Sequence, residues 1–251
     1  MHIDLTGKTV LVTGASRGIG AAIATAMAAS GARVAVHYSV SETGAAAVAA
    51  ECGPDARTFG ADLGDPADCV ALWDAVTAAY GRVDVLVNNA GVAAPVDDPS
   101  IDHWLKVWNR THDVNLRACA LLCHLACEHF QAEGGGRIIN ISSRAAFRGD
   151  QPDYIAYAAS KGGMVALTRS IARGFGKAGI VAFNVAPGFT RTAMAQDFID
   201  QYGEDYATSD IALSRLTEPK DVAPTVVFLA SGLADHATGA TIDINAASYV
   251  H

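Results

Sequence analysis

Short apolar runs alternate with longer alanine-rich stretches along almost the whole chain. Runs that are apolar at nearly every position are typical of strands buried on both faces, as in a parallel sheet. The strongest runs, rich in β-branched and aliphatic residues, cover 9–13, 33–38, 82–88, 137–142, 180–185 and 240–244, and a weaker run covers 56–62. The pattern therefore predicts a parallel sheet of about seven strands.

The stretches between these runs predict helices. We expect helices over about 18–30, 41–52, 66–80, 111–132, 155–177 and 219–231. Strand–helix alternation of this kind predicts an α/β fold of the Rossmann type, a doubly wound parallel sheet with helices on both faces. Because no linker, repeat or charge block divides the sequence, we expect one dinucleotide-binding domain spanning 1–251.

Ligands in such folds bind beyond the carboxyl ends of the strands, and the first strand–helix turn is rich in glycine. It reads TGASRGIG, from Thr13 to Gly20. Its glycines would let the backbone approach a diphosphate, and the following helix would point its first N–H groups at the phosphates. The residues expected to contact a dinucleotide here are Gly14, Ser16, Arg17, Gly18, Ile19 and Gly20.

The second run ends in His37, Tyr38 and Ser39, where NAD-binding folds usually carry an acidic residue on the ribose. An acid would repel a 2′-phosphate, whereas Ser39 can donate a hydrogen bond to one. Arg17 would supply positive charge from the glycine turn. The sequence thus favours NADP(H), with NAD(H) as the alternative. If Arg17 only points into solvent, the enzyme would not distinguish the two coenzymes.

Two further strand ends carry polar residues. Asp62 and Leu63 follow the weak run, where the carboxylate would accept a hydrogen bond from the adenine amino group. The motif NNAG follows the run over 82–88, and its amides would hold the strand ends together and line the ribose. The residues of this motif expected near the cofactor are Asn89, Ala90 and Gly91.

The motif YAASK places Tyr157 and Lys161 four residues apart, so a helix would put both side chains on one face. The preceding run ends in two hydroxyls, Ser142 and Ser143. A hydroxyl to polarise a carbonyl, a phenol to exchange a proton and a cation to lower the phenol's pKa suit carbonyl–alcohol redox chemistry. This chemistry needs a hydride carrier, for which the glycine turn predicts a site, and it requires no metal.

The composition of the chain disfavours several kinds of binding partner. The chain has 251 residues and a net charge of -8, which disfavours nucleic acid and anionic membrane surfaces. No apolar run reaches the ~18 residues of a membrane span. The first residues lack the pattern of a signal peptide, and five cysteines without framework spacing suit a reducing cytoplasm. Cys119, Cys123 and Cys127 climb one helix too far to share an ion, which favours packing in the core or at a subunit interface over zinc.

Taken in order, the motifs TGASRGIG, NNAG, NISS, YAASK and APGFTRT resemble those of the short-chain dehydrogenase/reductase family. The resemblance covers essentially the whole chain and is closest to reductases of 3-oxoacyl thioesters and of small ketones or alcohols. It implies a small-molecule carbonyl or alcohol substrate and a homotetramer or homodimer. An NAD(H)-linked alcohol, polyol or sugar dehydrogenase is the alternative within the family. A non-catalytic dinucleotide sensor or scaffold is disfavoured because Tyr157 and Lys161 are both present.

The resemblance also implies roles for individual residues. Tyr157 would be the acid/base, Lys161 would hold the nicotinamide ribose, and Ser143 would bind the carbonyl, with Ser142 as the alternative. Asn115 matches the asparagine that anchors a water for proton relay to the lysine. The loop residues implied to lie at the nicotinamide are Pro187, Gly188, Thr190 and Thr192.

Arg144 and Arg148 depart from the family pattern, because small or apolar residues are frequent at their positions. They border the implied substrate pocket and would bind a carboxylate, a phosphate or sugar hydroxyls. The alternative is that they face solvent or pair with Asp150 and Asp153. Tyr154 is a further candidate substrate contact in this segment, since it lacks the lysine that would make it the acid/base.

Two more departures lie near the C-terminus. The implied substrate lid, 190–214, is rich in acidic residues, which disfavours docking of an acidic acyl carrier protein. The tail reads Asn245-Ala246-Ala247 where relatives usually have a Gly-Gly pair. The extra Cβ atoms are expected to change the local backbone or subunit contacts.

Overall fold

The computed structural model describes residues 3–192, 195, 203 and 208–250. Among these residues the strands are β1 Thr9–Val12, β2 Arg33–Tyr38, β3 Arg57–Gly60, β4 Val85–Asn88, β5 Gly136–Ile141, β6 Ile180–Pro187 and β7 Thr241–Ile244. The helices are α1 Gly18–Ala29, α2 Glu42–Cys52, α3 Pro66–Tyr80, α4 Ile101–His112, α5 Ala118–Ala132, α6 Ala145–Arg148, α7 Ile155–Phe175 and α8 Pro219–Ala230. Short turns of other helix types cover Asp113–Arg117 (π) and Pro152–Tyr154, Gly176–Ala178 and Asp235–Ala237 (3₁₀).

The strands form one parallel sheet in the order β3-β2-β1-β4-β5-β6-β7. The winding direction reverses between β1 and β4, which lie side by side although two strands separate them in the chain. A cleft opens at such a switch point beyond the carboxyl ends of the strands. The predicted Rossmann-type fold is therefore confirmed, and its ligand edge lies after Val12 and Asn88.

Strand side chains alternate between two hydrophobic cores, one on each face of the sheet. Val10 and Val12 of β1 pack with α1, α2 and α8 on one face. Leu11, between them, packs with α3, α5 and α7 on the other. Burial on both faces explains why these strands read as continuous apolar runs. The edge strand β3 is largely exposed, which explains its weaker signal.

The predicted helix over 111–132 was wrong at its start. The structure begins α4 at Ile101, where the Ser100 hydroxyl accepts the His103 N–H at 3.3 Å. A π-helical turn then joins α4 to α5, so the helical path is longer and interrupted. Along α4, Trp104 and Trp108 stack with ring centroids 5.0 Å apart. The polar, half-exposed surface of α4 gave no apolar run from which its start could be predicted.

The cysteine stripe on α5 lies in the core. Cys119, Cys123 and Cys127 are buried against the sheet, which confirms the packing interpretation and places them inside the subunit. No helix within the described part of the chain is long and apolar enough to span a membrane.

Candidate active site

The glycine turn between β1 and α1 needs glycine for backbone reasons. Gly14 and Gly18 have φ of +61° and +60°, in the left-handed region that side chains disfavour. A Cβ on Gly20 would lie 2.3 Å from the Gly14 carbonyl oxygen and 2.4 Å from Asn89 Nδ2. The turn is thus packed tightly from within at the start of α1.

The NNAG motif holds this turn in place. The Thr13 hydroxyl oxygen accepts the N–H groups of Asn89 at 2.9 Å and Ala90 at 3.0 Å. In return, Asn89 Nδ2 donates to the carbonyls of Thr13 at 2.9 Å and Gly14 at 3.1 Å. Asn89 and Ala90 therefore join the ends of β1 and β4, in agreement with the structural role expected for this motif.

Asn88 has a different task inside the sheet. Its Nδ2 donates to Asn140 Oδ1 at 2.9 Å, and Asn140 Nδ2 donates to the Thr168 hydroxyl at 2.8 Å. Thr168 donates to Asn184 Oδ1 at 2.9 Å. The three asparagines pair in register across β4, β5 and β6. This buried polar row fixes the relative height of the strands that carry the candidate catalytic groups.

His37 is a site residue whose role sequence reasoning missed. Its Nδ1 accepts the Gly14 N–H at 2.9 Å, and its Nε2 lies 3.2 Å from the Ala61 carbonyl, so Nε2 carries the proton. Burial lowers the pKa of His37 to about 4, while the bond to Ala61 raises it to a smaller extent. A neutral imidazole thus fixes the glycine turn from the end of β2. The available signal was a lone histidine just before the strand end.

The expected adenosine-phosphate residues lie together at the edge of the cleft. Ser39 and Arg17 are exposed, and Tyr38 is half-buried at the end of β2. The start of α2 closes on the glycine turn, since a Cβ on Gly44 would lie 2.9 Å from the Ser16 carbonyl oxygen. No acidic side chain occurs between the end of β2 and the start of α2 at Glu42.

The carboxylate expected at the adenine is engaged within the protein. Asp62 Oδ1 accepts from Arg110 Nη2 at 2.9 Å and from the Gly64 N–H at 2.9 Å, and Arg110 first, then Gly64, lowers its pKa. Leu63 is buried in the second core and forms the floor beneath this corner. An adenine amino group would therefore share the Asp62 carboxylate with Arg110.

Tyr157 and Lys161 share one face of α7, as their spacing predicted. The Lys161 ammonium lies 5.8 Å from the centre of the Tyr157 ring. Its Nζ donates to the Ile141 carbonyl at the end of β5, 2.8 Å away. Lys161 is buried, and Tyr157 is half-buried with its phenol beside the Ser143 hydroxyl.

Burial dominates the electrostatics of this pair. It raises the pKa of Tyr157, and the nearby Ser143 hydroxyl lowers it in part. Burial also lowers the pKa of Lys161 to about 8. A phenol and an amine whose pKa values are both shifted at the end of a strand are typical of an acid/base site.

The two candidate serines are distinguished by their contacts. The Ser142 hydroxyl donates to the Lys161 carbonyl at 3.2 Å, so it attaches β5 to α7. The Ser143 oxygen accepts the Ala145 N–H at 3.1 Å. Of the two, Ser143 interacts with the Tyr157 phenol, which makes it the better candidate for the carbonyl-binding group.

Asn115 lies in the π-helical turn and reaches across to the loop after β4. Its Oδ1 accepts the Val92 N–H at 2.8 Å, and its Nδ2 donates to the Val92 carbonyl at 2.9 Å and the Ser160 hydroxyl at 3.1 Å. A Cβ on Gly91 would lie 3.3 Å from Asn115 Oδ1 and 3.5 Å from Lys161 Nζ. Gly91, Asn115 and Lys161 therefore converge at one point beneath the cleft.

The loop after β6 closes the other side. Pro187 accepts the Arg144 N–H at 3.1 Å, and the Gly188 N–H donates to the Ile244 carbonyl at 3.0 Å. The hydroxyl of the buried Thr190 donates to the Gly188 carbonyl at 3.1 Å. Thr192 faces the glycine turn, since a Cβ on Gly18 would lie 3.4 Å from its methyl group. The loop after β6 thus contacts the glycine turn at Gly18.

Arg144 and Arg148 pair with Asp210 rather than with Asp150 or Asp153. Arg144 Nη1 lies 3.3 Å from Asp210 Oδ2, and Arg148 donates to the same oxygen. Tyr154 is half-buried at the end of the 3₁₀ turn before α7. Most of the implied lid over 190–214 lies outside the described residues.

A cavity of about 480 Å³ lies beside the C-terminal tail. It is bordered by Leu213, Arg215, Asn245 and Tyr249, and none of Ser143, Tyr157 or Lys161 lines it. Asn245 also packs on the loop after β6, because a Cβ on Gly188 would lie 2.8 Å from its Cα. The cavity thus adjoins the back of that loop and not the acid/base group.

A glycine turn at the switch point, facing a serine–tyrosine–lysine group across one cleft, defines an oxidoreductase built on a dinucleotide-binding fold. The family described as enoyl-(acyl carrier protein) reductase matches residues 14–246. D-threitol dehydrogenase of Mycolicibacterium smegmatis is 38% identical over 96% of this chain and 92% of that protein. The 3-oxoacyl-[acyl-carrier-protein] reductase of Staphylococcus aureus strain Mu50 is 37% identical over 97% of this chain and 98% of that protein.

The solved structures agree. A protein from Agrobacterium tumefaciens, provisionally assigned as a gluconate dehydrogenase, superposes with a TM-score of 0.91 at 30% identity and covers 100% of both chains. The chain belongs to the short-chain dehydrogenase/reductase family. Members of this family use a nicotinamide dinucleotide and act on small molecules, generally as oligomers.

Proposed function

We propose that the protein is an NADP(H)-dependent oxidoreductase that interconverts a carbonyl and a secondary alcohol. The observation that carries this proposal is the Tyr157 phenol, which lies beside the Ser143 hydroxyl while the buried Lys161 ammonium lies 5.8 Å from the centre of its ring. The glycine turn lies at the switch point of the same sheet edge. Its positive-φ glycines and the facing Thr192 fit the diphosphate of a dinucleotide.

The chain's own residues would handle the substrate oxygen and the proton. When bound, the nicotinamide supplies or accepts the hydride at the substrate carbon. In reduction, Ser143 and Tyr157 donate hydrogen bonds to the carbonyl oxygen, and Tyr157 then gives it the proton. Oxidation reverses these transfers, and Tyr157 takes the alcohol proton.

Two groups would prepare Tyr157 for this proton transfer. The Ser143 hydroxyl offsets part of the rise in the pKa of Tyr157 that burial causes. The positive charge of Lys161 would further stabilise the phenolate. Lys161 Nζ uses one N–H on Ile141, so it has donors left for a ribose hydroxyl. Asn115 holds the loop beneath Lys161 and would anchor a water that resupplies the proton.

The preference for NADP(H) rests on the end of β2. Tyr38 and Ser39 offer no carboxylate to the ribose, and exposed Arg17 lies on the neighbouring turn. Michaelis constants for NADPH and NADH test this part directly. We expect Ser39→Asp to favour NADH binding and Arg17→Gln to weaken NADPH binding selectively. Each effect should be about tenfold, because each substitution changes one charge contact in an exposed site. A clear preference of the unmodified enzyme for NADH would refute the assignment.

Tyr157→Phe tests the acid/base itself. Removal of the phenol should lower turnover at least about 100-fold, the usual range for a lost acid/base, while cofactor affinity stays within a few-fold. Tyr80→Phe is the matched control, because it removes a phenol that donates to the Val34 and Asp55 carbonyls at the far end of α3, and it should keep most of its activity. Turnover of Tyr157→Phe within about tenfold of the parent would show that another group carries the proton.

The likeness to D-threitol dehydrogenase supports a second candidate function, the NAD(H)-linked oxidation of a small polyol or sugar. A panel of polyols, ketones and 3-oxoacyl thioesters with both coenzymes separates the candidates. Cofactor binding without turnover on the whole panel would instead favour a sensor. We further propose a cytoplasmic homotetramer or homodimer with a small-molecule substrate and no nucleic-acid or membrane partner.

A further inference from the structure

Two guanidinium groups lie on the segment that follows the candidate carbonyl-binding serine. Arg144 is the next residue after Ser143, and its N–H is fixed on the Pro187 carbonyl at 3.1 Å. Arg148 follows after one turn of helix, with its N–H on the Arg144 carbonyl at 3.1 Å. Both arginines therefore belong to the short segment between Ser143 and α7, the helix that carries Tyr157.

Both side chains meet at a single carboxylate oxygen. Arg144 Nη1 and Arg148 Nη1 contact Oδ2 of Asp210, and Arg148 Nη1 is also 3.4 Å from the Ser248 carbonyl. Within the described residues, these are the side-chain hydrogen bonds of the two arginines. A guanidinium has five N–H donors and binds a carboxylate best through two parallel bonds. Towards the residues that the structure describes, most of the N–H donors of the pair thus stay unused.

Among the described residues, the charges in direct contact do not balance, because two guanidinium groups meet one carboxylate. The Arg144 side chain is only 16% exposed, and burial followed by repulsion from Arg148 lowers its pKa. Asp210 is 52% exposed. Asp150 attracts Arg144 from a distance, but its own Oδ1 accepts the Gln151 N–H at 2.9 Å. A largely buried guanidinium and an exposed one that share one exposed carboxylate favour a further anion.

We propose that Arg144 and Arg148 bind a carboxylate of the substrate, so that the enzyme acts on an oxo or hydroxy acid, and that Asp210 occupies this position when no substrate is bound. This inference rests on the proposed function, because it assigns the substrate of the same site. The site already accommodates a planar carboxylate, which favours a carboxylic acid over a phosphate ester. Because Asp210 competes with the substrate carboxylate for the two arginines, it is expected to weaken the binding of acids.

Matched pairs of substrates test the inference with the full-length protein. The pairs are lactate and lactamide, 3-hydroxybutyrate and 3-hydroxybutyramide, and gluconate and gluconamide. Each pair differs in one charge and keeps the carbon chain. For at least one pair, kcat/KM should favour the acid about tenfold or more, the usual effect of a charge-assisted hydrogen bond.

Substitutions of the two arginines and of Asp210 then test whether these side chains cause the preference for the acid. Arg144→Gln and Arg148→Gln should raise KM for the acid about tenfold and leave the amide nearly unchanged. Asp210→Asn should lower KM for the acid, because it removes the competing carboxylate. Arg173→Gln is the control for net charge, since Arg173 is exposed near the far end of α7. If Arg148→Gln does not fold, Arg148→Lys replaces it in this test, because lysine keeps the charge but lacks the paired N–H donors of the guanidinium group.

The outcomes separate this inference from the proposed function. Equal kcat/KM for acid and amide in every pair, or an equal loss on both in Arg148→Gln, would overturn the anion site while Tyr157-dependent turnover stands. A preference for phosphate esters over carboxylates would overturn it as well. If the unmodified enzyme turned over no acid, amide, ketone or alcohol with either coenzyme, the proposed function itself would fail.

Discussion

On the side of the cleft proposed to bind the nucleotide, hydrogen bonds of half-buried backbone groups hold the glycine turn, whereas on the proposed substrate side exposed charges make the contacts. Gly14 is held by His37 and Asn89 through hydrogen bonds of 2.9 and 3.1 Å. On the other side, Arg148 and Asp210 are 35% and 52% exposed. Removing one partner of a buried hydrogen bond leaves the other partner unsatisfied, which lowers the free energy of unfolding strongly. Exposed ion pairs contribute little to that free energy. The nucleotide side is therefore preassembled, and the substrate side is open to rearrangement by a ligand.

The largest effect expected from this difference comes from Gly20→Ala. The new Cβ would lie 2.3 Å from a backbone oxygen that cannot move aside without distorting the turn. We expect a loss of more than about 3 kcal/mol of unfolding free energy and at least ~100-fold in cofactor affinity. Gly174→Ala is the control, because its Cβ meets nothing within 4 Å in the helix α7. Denaturant unfolding measures the loss of stability, and cofactor titration measures the loss of affinity. If Gly20→Ala and Gly174→Ala lost similar amounts of each, the turn would not be preassembled.

His37 should make the nucleotide side sensitive to acid. Its folded pKa of about 4 lies below the ordinary 6.5, so the unfolded chain binds the proton first as pH falls. The contribution of neutral His37 to the free energy of unfolding is complete above pH 6.5. It is lost as the pH falls towards 4, by up to about 3 kcal/mol. His37→Gln should flatten this part of the pH–stability curve. Exposed His236→Gln should not, and equal slopes for both variants would contradict the role of His37.

The C-terminal tail contains strain that glycine would relieve. Ala246 and Ala247 have φ of 52° and 59°, a left-handed conformation that costs a non-glycine residue free energy. Ala246→Gly and Ala247→Gly should each stabilise the fold by about 1 kcal/mol, or a rise in Tm of about 2–4 °C. Ala75→Gly, at an exposed helical position, should destabilise it by a similar amount. Loss of stability in both tail variants would rule out the strain.

The smallest effect is expected for the ion pair of the substrate side. A double-mutant cycle with Arg148→Gln and Asp210→Asn should give a coupling free energy below about 1 kcal/mol in unfolding, because both side chains are more than one-third exposed. Added salt should reduce it further. A coupling of several kcal/mol would mean that Asp210 is part of the fold and not a replaceable occupant of the anion site.

Much of the architecture was predictable because each strand carries its own signal. Burial on both faces makes β1, β4 and β5 continuous apolar runs, so their positions followed from the sequence. The exposed edge strand β3 and the amphipathic helix α4 were weakly predicted or missed at their boundaries. In α4 the helical path continues through the π-helical turn 113–117, and no local pattern announces such a turn.

The candidate site was predictable where its residues are close in the chain. Tyr157 and Lys161 share a helix, and the glycine turn is a single segment, so spacing alone placed them. His37 was missed because its role depends on Gly14 and Ala61, each more than 20 residues away in the chain. The partner of Arg144 and Arg148 was predicted among nearby acids, but the fold brings up Asp210 from 62 residues beyond Arg148.

The sequence by itself thus determined the class of chemistry: a phenol and an ammonium one helical turn apart, serines before them and a glycine turn at the first strand end. These groups depend on local backbone geometry, which neighbouring residues encode. Only the tertiary structure decided which serine faces Tyr157, how His37 locks Gly14, and which carboxylate meets the arginines. Those choices depend on contacts between distant segments, whose distances are fixed by the packing of helices on both faces of the sheet and not by spacing along the chain.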